Sequence, residues 1–316
     1  MRTRGQPVWW GRWVAVAALI MASGCTRSQP ASTDWVDGMR VEQIGTAGSP
    51  VILLPGSLCG PWEWRTTIEA LRRHHHTVYA VAFPGFDGAP APADTHDLIG
   101  RYTDEVVKLI STRRLVKPIV IGHSIGGTIA LHIAAEHPDL VSGVIAVEGL
   151  PVYPGYEDVA EPRRTELADA AAGSARMAQT PDAKLAYARD YLRYVGVIDP
   201  ALAEQYAPLM ARSDFSAAAE YLREDVIADS RAELGGATTP IWEVAPYYQP
   251  REQRSFASAT DKADYYRNLL AKAPNVTVVP IEPAKHFVML DQPDVFTETI
   301  DGIVAGLFAR AHYPLS

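Results

Sequence analysis

Short apolar runs alternate along the chain with longer stretches in which apolar residues recur every three or four positions. The short runs are rich in β-branched residues and predict buried strands at 51–54, 77–82, 117–121, 141–147, 240–245 and 275–279. The longer stretches predict amphipathic helices. Residues 39–44 alternate between apolar and polar, as an edge strand does. Strands that alternate with helices at this spacing imply an α/β fold with a mostly parallel sheet and helices on both faces.

Residues 151–236 interrupt this alternation. The segment is rich in Ala, Glu, Arg and Tyr, has helical spacing at Leu185, Tyr191 and Tyr194, and contains no strand-like run. We interpret it as a helical cap inserted between two strands. The core is then made of residues 35–150 and 237–316. The cap would cover the carboxyl ends of the strands, where such folds bind ligands.

The first 24 residues have the pattern of an export signal peptide. Arginines are followed by an uninterrupted apolar run of ten residues, Trp13–Ala22. That run is too short to cross a hydrocarbon layer of about 30 Å, which needs about 20 residues, but it suits the apolar region of a signal.

Residues 22–25, which read Ala-Ser-Gly-Cys, resemble the lipobox of bacterial lipoproteins, in which the cysteine becomes the lipidated first residue. Residues 25–34 would then form a lipidated tether. Ordinary cleavage near the same small residues, which releases a soluble exported protein, is the alternative. We expect a protein of the cell envelope that is anchored to the membrane through lipid on Cys25.

The composition is that of a globular protein without a surface for polyanions. Apolar residues make up 47% and charged residues 21% of the chain. The formal net charge of −8 becomes −11 without the three arginines of the signal, and no basic stripe occurs. We therefore expect no nucleic-acid partner. If Cys25 carries lipid, the second cysteine, Cys59, has no partner for an intrachain disulfide.

The most informative candidate for a catalytic motif is residues 122–126, which read Gly-His-Ser-Ile-Gly between a predicted strand and a predicted helix. A G-x-S-x-G sequence in this context is typical of a nucleophile elbow, in which the serine lies on a sharp strained turn. The hydroxyl of Ser124 would then point outward at a helix N-terminus, where free backbone N–H groups favour developing negative charge. A chance match in a glycine-bearing turn is the alternative, and the two correct flanks argue against it.

An activated serine needs a base, and His286 is the candidate. It lies between the last predicted strand and the closing helix, in a loop that returns to the top of the sheet near the elbow. The other histidines considered lie on surface helices or next to a proline. The triplet His74–His76 suggests a metal site at first sight. Neighbouring residues on one helical turn point in different directions, so we expect no metal and no cofactor.

Several features together resemble the α/β-hydrolase superfamily over nearly all of residues 35–316. These are the Leu-Leu-Pro-Gly-Ser sequence at 53–57, the elbow, the cap insertion and the late histidine. In most members the acid that orients the base follows the strand after the cap, but Gln249 stands where aspartate is usual. A subgroup that includes some haloalkane dehalogenases takes the acid from the end of the strand after the elbow helix. In this chain that position is Glu148, and the order Ser, Glu, His agrees with the superfamily.

Glu148 has rivals for the role of the acid. A carboxylate at the end of a buried strand is costly unless it is paired, and the imidazolium formed in catalysis is a fitting partner. Glu148 could instead be structural, forming a salt bridge beneath the cap. Glu243 lies inside a predicted strand, and Glu252 and Asp261 lie on the loop after Gln249.

The remaining predicted parts of the site are an oxyanion hole and a pocket. One oxyanion donor should be the backbone N–H of Ile125, and the other that of Ser57, after Gly56 turns the chain. Trp62, Tyr247 and Tyr248 are candidates to line the pocket.

The expected function is that of a serine hydrolase, which cleaves carboxylic esters of small to medium size through an acyl-enzyme. A serine at the elbow argues against haloalkane dehalogenase and epoxide hydrolase chemistry, which need a carboxylate nucleophile. A carbon–carbon bond hydrolase or a lactonase would use the same triad. The alternative from another class is a non-catalytic protein that binds a ligand at the cell envelope.

Overall fold

The apolar runs pair into one eight-stranded sheet in this computed structural model, which describes residues 32–312. The strands are β1 (Ser32–Val36), β2 (Met39–Ile44), β3 (Pro50–Leu54), β4 (Thr77–Ala82), β5 (Ile119–His123), β6 (Gly143–Val147), β7 (Ile241–Pro246) and β8 (Val276–Ile281). Their order across the sheet is β1-β2-β4-β3-β5-β6-β7-β8. The strands β3 to β8 run parallel, whereas β2 pairs antiparallel with both β1 and β4. The predicted mostly parallel sheet is confirmed.

The edge of the sheet differs from the prediction. The alternating strand β2 is not the edge strand, because all five residues of β1 pair with it, from Ser32 opposite Gln43 to Val36 opposite Met39. The edge strand therefore begins within the segment that we expected to be a tether, residues 25–34. The rest of that segment and the predicted signal, up to residue 31, lie outside the described residues.

Eleven α-helices are present in residues 32–312. They are α1 (Arg65–Arg73), α2 (Leu98–Thr112), α3 (Ile125–Glu136), α4 (Arg163–Met177), α5 (Pro181–Tyr191), α6 (Pro200–Met210), α7 (Phe215–Ile227), α8 (Gln249–Glu252), α9 (Ala259–Leu269), α10 (Val288–Asp291) and α11 (Pro293–His312). Helix α1 packs on α11, and α2 packs on α3. All six residues of β4 and all five of β5 are buried, as expected for strands covered on both faces.

The chain from β6 to β7 leaves the sheet and forms α4, α5, α6 and α7. No strand interrupts these helices within residues 148–240, all of which the structure describes. Helix α7 packs on α4 and also on α2 and α3 of the core. The helical segment therefore rests on the core next to the point where the elbow helix α3 begins.

The register of the parallel strands aligns three carboxyl ends. Leu54 of β3 lies opposite Gly122 of β5, and His123 of β5 lies opposite Val147 of β6. The residues that follow these strands therefore share one edge of the sheet, which is where the predicted site lies. Among residues 32–312, no helix has the length and apolar character needed to cross a bilayer.

Candidate active site

Ser124 occupies the turn between β5 and α3 in a conformation that is rare for a side-chain-bearing residue. Its φ is +52° and its ψ is −123°. The flanking glycines allow this turn because strand, helix and neighbouring loop approach closely there. A Cβ atom on Gly122 would lie 2.0 Å from the carbonyl oxygen of Gly126. The strain at Ser124 is therefore maintained by tight packing on both sides, as expected for a functional turn.

The structure brings His286 and Glu148 together. Glu148 follows β6 directly and also has a positive φ, +51°. The Nδ1 atom of His286 lies 2.5 Å from Glu148 Oε2. Because a carboxylate only accepts hydrogen bonds, Nδ1 of His286 carries the proton. In the neutral ring, Nε2 then has a free lone pair and can accept a proton.

A lysine that the sequence analysis did not single out binds the other oxygen of Glu148. Lys262 of α9 is only 3% exposed. Its Nζ atom donates to Glu148 Oε1 at 2.7 Å and to the carbonyl oxygen of Pro246 at 2.6 Å, and lies 2.9 Å from Glu252 Oε2. The sequence held a signal for this, because Lys262 lies on the same helical face as the buried residues Ala259, Ala263 and Tyr266.

These contacts fix the ionisation of the pair. Burial would raise the pKa of the Glu148 carboxyl, but Lys262 and His286 together lower it below its ordinary value. Burial also lowers the pKa of His286, and the attraction of Glu148 only partly opposes this effect. At neutral pH, Glu148 is therefore an anion and His286 is a neutral base.

The rival acids do not bind the imidazole of His286 within residues 32–312. Glu252 is bound to Lys262. Asp261 is exposed in the first turn of α9. Glu243 is buried in β7, where burial raises the pKa of its carboxyl. Within residues 32–312, Glu148 alone among these carboxylates is bonded to His286.

One cavity of about 520 Å³ is lined by all five predicted site residues that the structure describes, namely Ser57, Ser124, Ile125, Glu148 and His286. Its size falls within the usual range for small-molecule sites, about 300–1,000 Å³. The sixth predicted residue, the lipidation candidate Cys25, lies outside the described residues. Within residues 32–312, no group of three or more His, Cys, Asp or Glu side chains is arranged to hold a metal ion.

The aromatic lining differs from the prediction. Tyr153, Tyr187, Tyr191 and Tyr266 line the cavity, whereas Trp62, Tyr247 and Tyr248 do not. Trp62 instead stacks on Tyr206, with ring centroids 5.3 Å apart. The Tyr247 hydroxyl donates to the carbonyl oxygen of Phe256. Apolar spacing identified aromatic side chains near the site but not the directions in which they point.

The two candidate oxyanion donors lie at the ends of adjacent strands. Neither the backbone N–H of Ser57 nor that of Ile125 has an acceptor among the described residues. The turn that carries Ser57 is held by Glu63, whose Oε1 accepts the backbone N–H of Gly56 at 3.0 Å. Both donors are therefore available to a bound oxyanion.

Glu63 belongs to a second buried network that the sequence analysis missed. The side chains of Glu63 and His123 are fully buried, and His123 Nδ1 lies 3.1 Å from Glu63 Oε2. His123 Nε2 donates to the backbone carbonyl of His286 at 3.1 Å. This network links the oxyanion turn, the end of β5 and the loop of His286. A titratable residue inside an apolar strand, directly before Ser124, was the available signal.

Sequence comparisons identify relatives of part of the chain. The sequence model of the Alpha/beta hydrolase family matches residues 51–299. A soluble epoxide hydrolase from Corynebacterium sp. (strain C12) is 34% identical over 118 residues, which are 37% of this chain and 40% of that protein. The matching stretches span 43% or less of the lengths of the curated relatives.

Solved structures resemble the chain over most of its length. The enol-lactonase from Burkholderia xenovorans LB400 has a TM-score of 0.70 at 18% identity, covering 87% of this chain and 100% of that chain. The esterase EaEST from Exiguobacterium antarcticum has a TM-score of 0.69 at 18% identity, covering 88% of this chain and 98% of that chain. At this identity, the likeness shows a shared fold.

Proposed function

Because the chain belongs to the alpha/beta hydrolase family and has its fold, we propose that it is a serine hydrolase for carboxylic esters of small to medium size. One observation carries the proposal: Ser124, on its strained turn, faces the same cavity as a histidine whose Nδ1 is held by Glu148. Nucleophile, base and orienting acid are the parts that acyl transfer requires.

The proposed reaction has two halves. Ser124 Oγ attacks the ester carbonyl carbon while His286 Nε2 takes the serine proton. Glu148 stabilises the imidazolium, and the backbone N–H groups of Ser57 and Ile125 stabilise the oxyanion. His286 then gives its proton to the departing alcohol, which leaves an acyl-enzyme. Water attacks this ester with His286 again as base, and the carboxylic acid is released.

The serine at the elbow separates this reaction from that of the epoxide hydrolase relative. Opening an epoxide in this fold needs a carboxylate nucleophile, and no carboxylate stands at position 124. A lactone or a carbon–carbon substrate would use the same groups. The test therefore includes both of these substrate classes.

A panel of p-nitrophenyl esters of increasing acyl length tests the proposal, together with a fluorophosphonate probe and peptide mapping. We expect hydrolysis of the shorter esters, labelling of Ser124, and loss of both in Ser124→Ala. The control is Ser255→Ala, because Ser255 lies at the wall of the same cavity without a part in the proposed chemistry.

The other outcomes of this experiment distinguish the alternatives. Labelling without ester hydrolysis, combined with turnover of a lactone or a β-diketone, overturns the ester substrate but not the nucleophile. Neither labelling nor turnover overturns the enzymatic function and favours an envelope binding protein.

We also propose that the enzyme is exported and anchored to the membrane by lipid on Cys25. Support comes from the basic start, the ten-residue apolar run and the small residues before the cysteine. Its substrate would then be a small ester outside the cytoplasm.

A further inference from the structure

A polar group in the cavity has no part in the proposed catalysis. Asp225 lies on α7 and lines the cavity together with Thr128 of α3. Its Oδ1 accepts a hydrogen bond from Thr128 Oγ1 at 3.0 Å. Thr128 lies one helical turn after Ser124, since its backbone N–H donates to the carbonyl oxygen of Ser124. The Cα atom of Thr128, which binds the carboxylate through its side chain, therefore lies about 6 Å further along α3 than that of Ser124, a separation that a small ester can span.

The charges of the cavity do not balance around Asp225. Three carboxylates line it, those of Glu148, Asp225 and Glu252, but only two permanent cations, Lys262 and Arg251. Lys262 binds both Glu148 and Glu252, and Arg251 lies 3.5 Å from Glu252. Within residues 32–312, no lysine or arginine forms an ion pair with Asp225, and its Oδ2 accepts no hydrogen bond.

An anion in this position is unfavourable without a counter-ion. Burial raises the pKa of Asp225 to about 6, and the bond from Thr128 only partly offsets this effect. At pH 7.5 the group is nevertheless ionised. A partly buried carboxylate without a cation costs free energy, and a positively charged ligand group would recover that free energy.

Aromatic side chains of the same cavity favour the same kind of ligand. Rings of Tyr153, Tyr187 and Tyr191 line this cavity. The hydroxyl of Tyr153 has no hydrogen-bond partner among the described residues, and Asp225 is close enough to raise the pKa of this phenol in addition to the effect of burial. Aromatic faces attract ammonium groups, and the attraction grows when water is excluded.

We propose that the preferred esters carry a cationic ammonium group, with Asp225 as its counter-ion and the tyrosine rings as its walls. This inference rests on the proposed esterase function and names a substrate class for it. Thr128 positions the carboxylate. Arg251 does not oppose this binding strongly, because its side chain is 38% exposed and lies near Glu252.

Two pairs of isosteric esters test the inference. One pair has the charge in the alcohol, butyrylcholine and 3,3-dimethylbutyl butyrate. The other has it in the acyl group, p-nitrophenyl 4-(trimethylammonio)butanoate and p-nitrophenyl 5,5-dimethylhexanoate. We expect kcat/KM of the wild type to favour the cationic member of at least one pair by about tenfold or more. The pair that shows the preference tells which side of the ester bond faces Asp225.

Asp225→Asn keeps the shape and removes the charge, so the preference should fall to near unity while turnover of the neutral ester persists. The matched control is Glu220→Gln, an equal charge change on the same helix at a residue that does not line the cavity. It should leave the preference intact. A preference that is absent in both pairs, or that persists in Asp225→Asn, overturns the inference.

A second measurement needs only the wild type and tests the inference even if Asp225→Asn does not fold. Choline and the isosteric 3,3-dimethylbutan-1-ol are compared as competitive inhibitors of neutral-ester hydrolysis by the wild type. Stronger inhibition by choline supports the inference, and equal or weaker inhibition overturns it. Failure of the esterase proposal itself is distinct, because then neither member of either pair is hydrolysed.

Discussion

Glu148 accepts hydrogen bonds from three side chains, of which only one is the imidazole of His286. Lys262 and Tyr266 bind its other oxygen, at 2.7 and 3.1 Å. The carboxylate is therefore fixed and ionised before any imidazolium forms.

Glu148→Gln should lower kcat by about 10²- to 10⁴-fold, because an amide no longer selects the Nδ1–H tautomer or stabilises the imidazolium. Steady-state kinetics and a circular dichroism melt measure the two effects. Glu252→Gln is the control, since Glu252 also binds Lys262 but does not bind His286. Equal losses in the two variants would contradict the assignment of the acid.

The pH profile reports on His286 itself. Its protonated form cannot accept the serine proton, so kcat/KM should rise with pH through the pKa of the free enzyme and then level off. Burial lowers this pKa, Glu148 raises it and His123 lowers it further, with a net decrease from the ordinary value of 6.5. The midpoint of the acid limb should therefore lie below 6.5 for a neutral ester. A midpoint above 6.5 would contradict this electrostatic account.

Helix α9 fixes the end of β6 through one side chain. Its Lys262 holds Glu148 at the end of that strand, Glu252 at the end of α8 and the carbonyl oxygen of Pro246 at the end of β7. Three segments that carry or support the site therefore converge on one buried ammonium group.

Lys262→Met should lower the free energy of unfolding at pH 7.5 by about 3–5 kcal/mol, because two buried carboxylates lose their cation. Without the cation, the pKa of Glu148 in the folded variant rises above its value in the unfolded chain. A carboxyl group with such a raised pKa stabilises the folded state at pH values below the unfolded pKa, and this stabilisation is lost as the pH rises through the folded pKa. The gap between variant and wild type should therefore narrow from pH 7.5 to pH 5 in urea titrations. Lys272→Met, at an exposed position, should change little at either pH.

The packing of α3 against the loop after β3 is tight enough to test with one methyl group. A Cβ atom on Gly126 would lie 2.6 Å from the carbonyl oxygens of both Leu54 and Pro55, whereas one on Gly302 of α11 would meet nothing within 4 Å. Gly126→Ala should destabilise by about 1–3 kcal/mol and lower kcat by moving the turn of Ser57. Gly302→Ala should stabilise by about 0.5–1 kcal/mol. Urea unfolding measures both, and a stable Gly126→Ala with full activity would contradict the packing argument.

The helical segment and the core are joined by hydrogen bonds at the candidate site. The backbone N–H groups of His286 and Phe287 donate to the carbonyl oxygens of Val195 and Gly196, which lie just after α5. Asp225 of α7 binds Thr128 of α3. Movement of the helical segment would therefore displace both the base and the proposed ammonium site.

The cellular location of the whole chain is a prediction from sequence alone. If Cys25 is lipidated, the wild type expressed in a bacterial host should partition into the detergent phase, and Cys25→Ser should appear in the aqueous phase. Esterase activity per molecule should be unchanged, because Cys25 has no part in the proposed chemistry. A wild type found in the aqueous phase would favour ordinary cleavage near the same small residues.

Local patterns in the sequence determined seven of the eight strands, the turn of Ser124 and the candidate base. Burial periodicity and turn chemistry are properties of consecutive residues, so they can be read without the fold. The position of Glu148 at the end of a buried strand is of the same kind. Its status as the candidate acid also depended on a resemblance to other proteins.

Only the tertiary structure decided which groups surround those residues. The three side chains that bind Glu148 lie 114, 118 and 138 residues away from it, and His123 contacts Glu63 across 60 residues. Such contacts arise from the order of strands in the sheet and the crossing of helices, which no local window contains. For the same reason, the identity of the tyrosines that line the cavity, and the absence of an ion-pair partner for Asp225 within residues 32–312, depend on how the helical segment packs on the core.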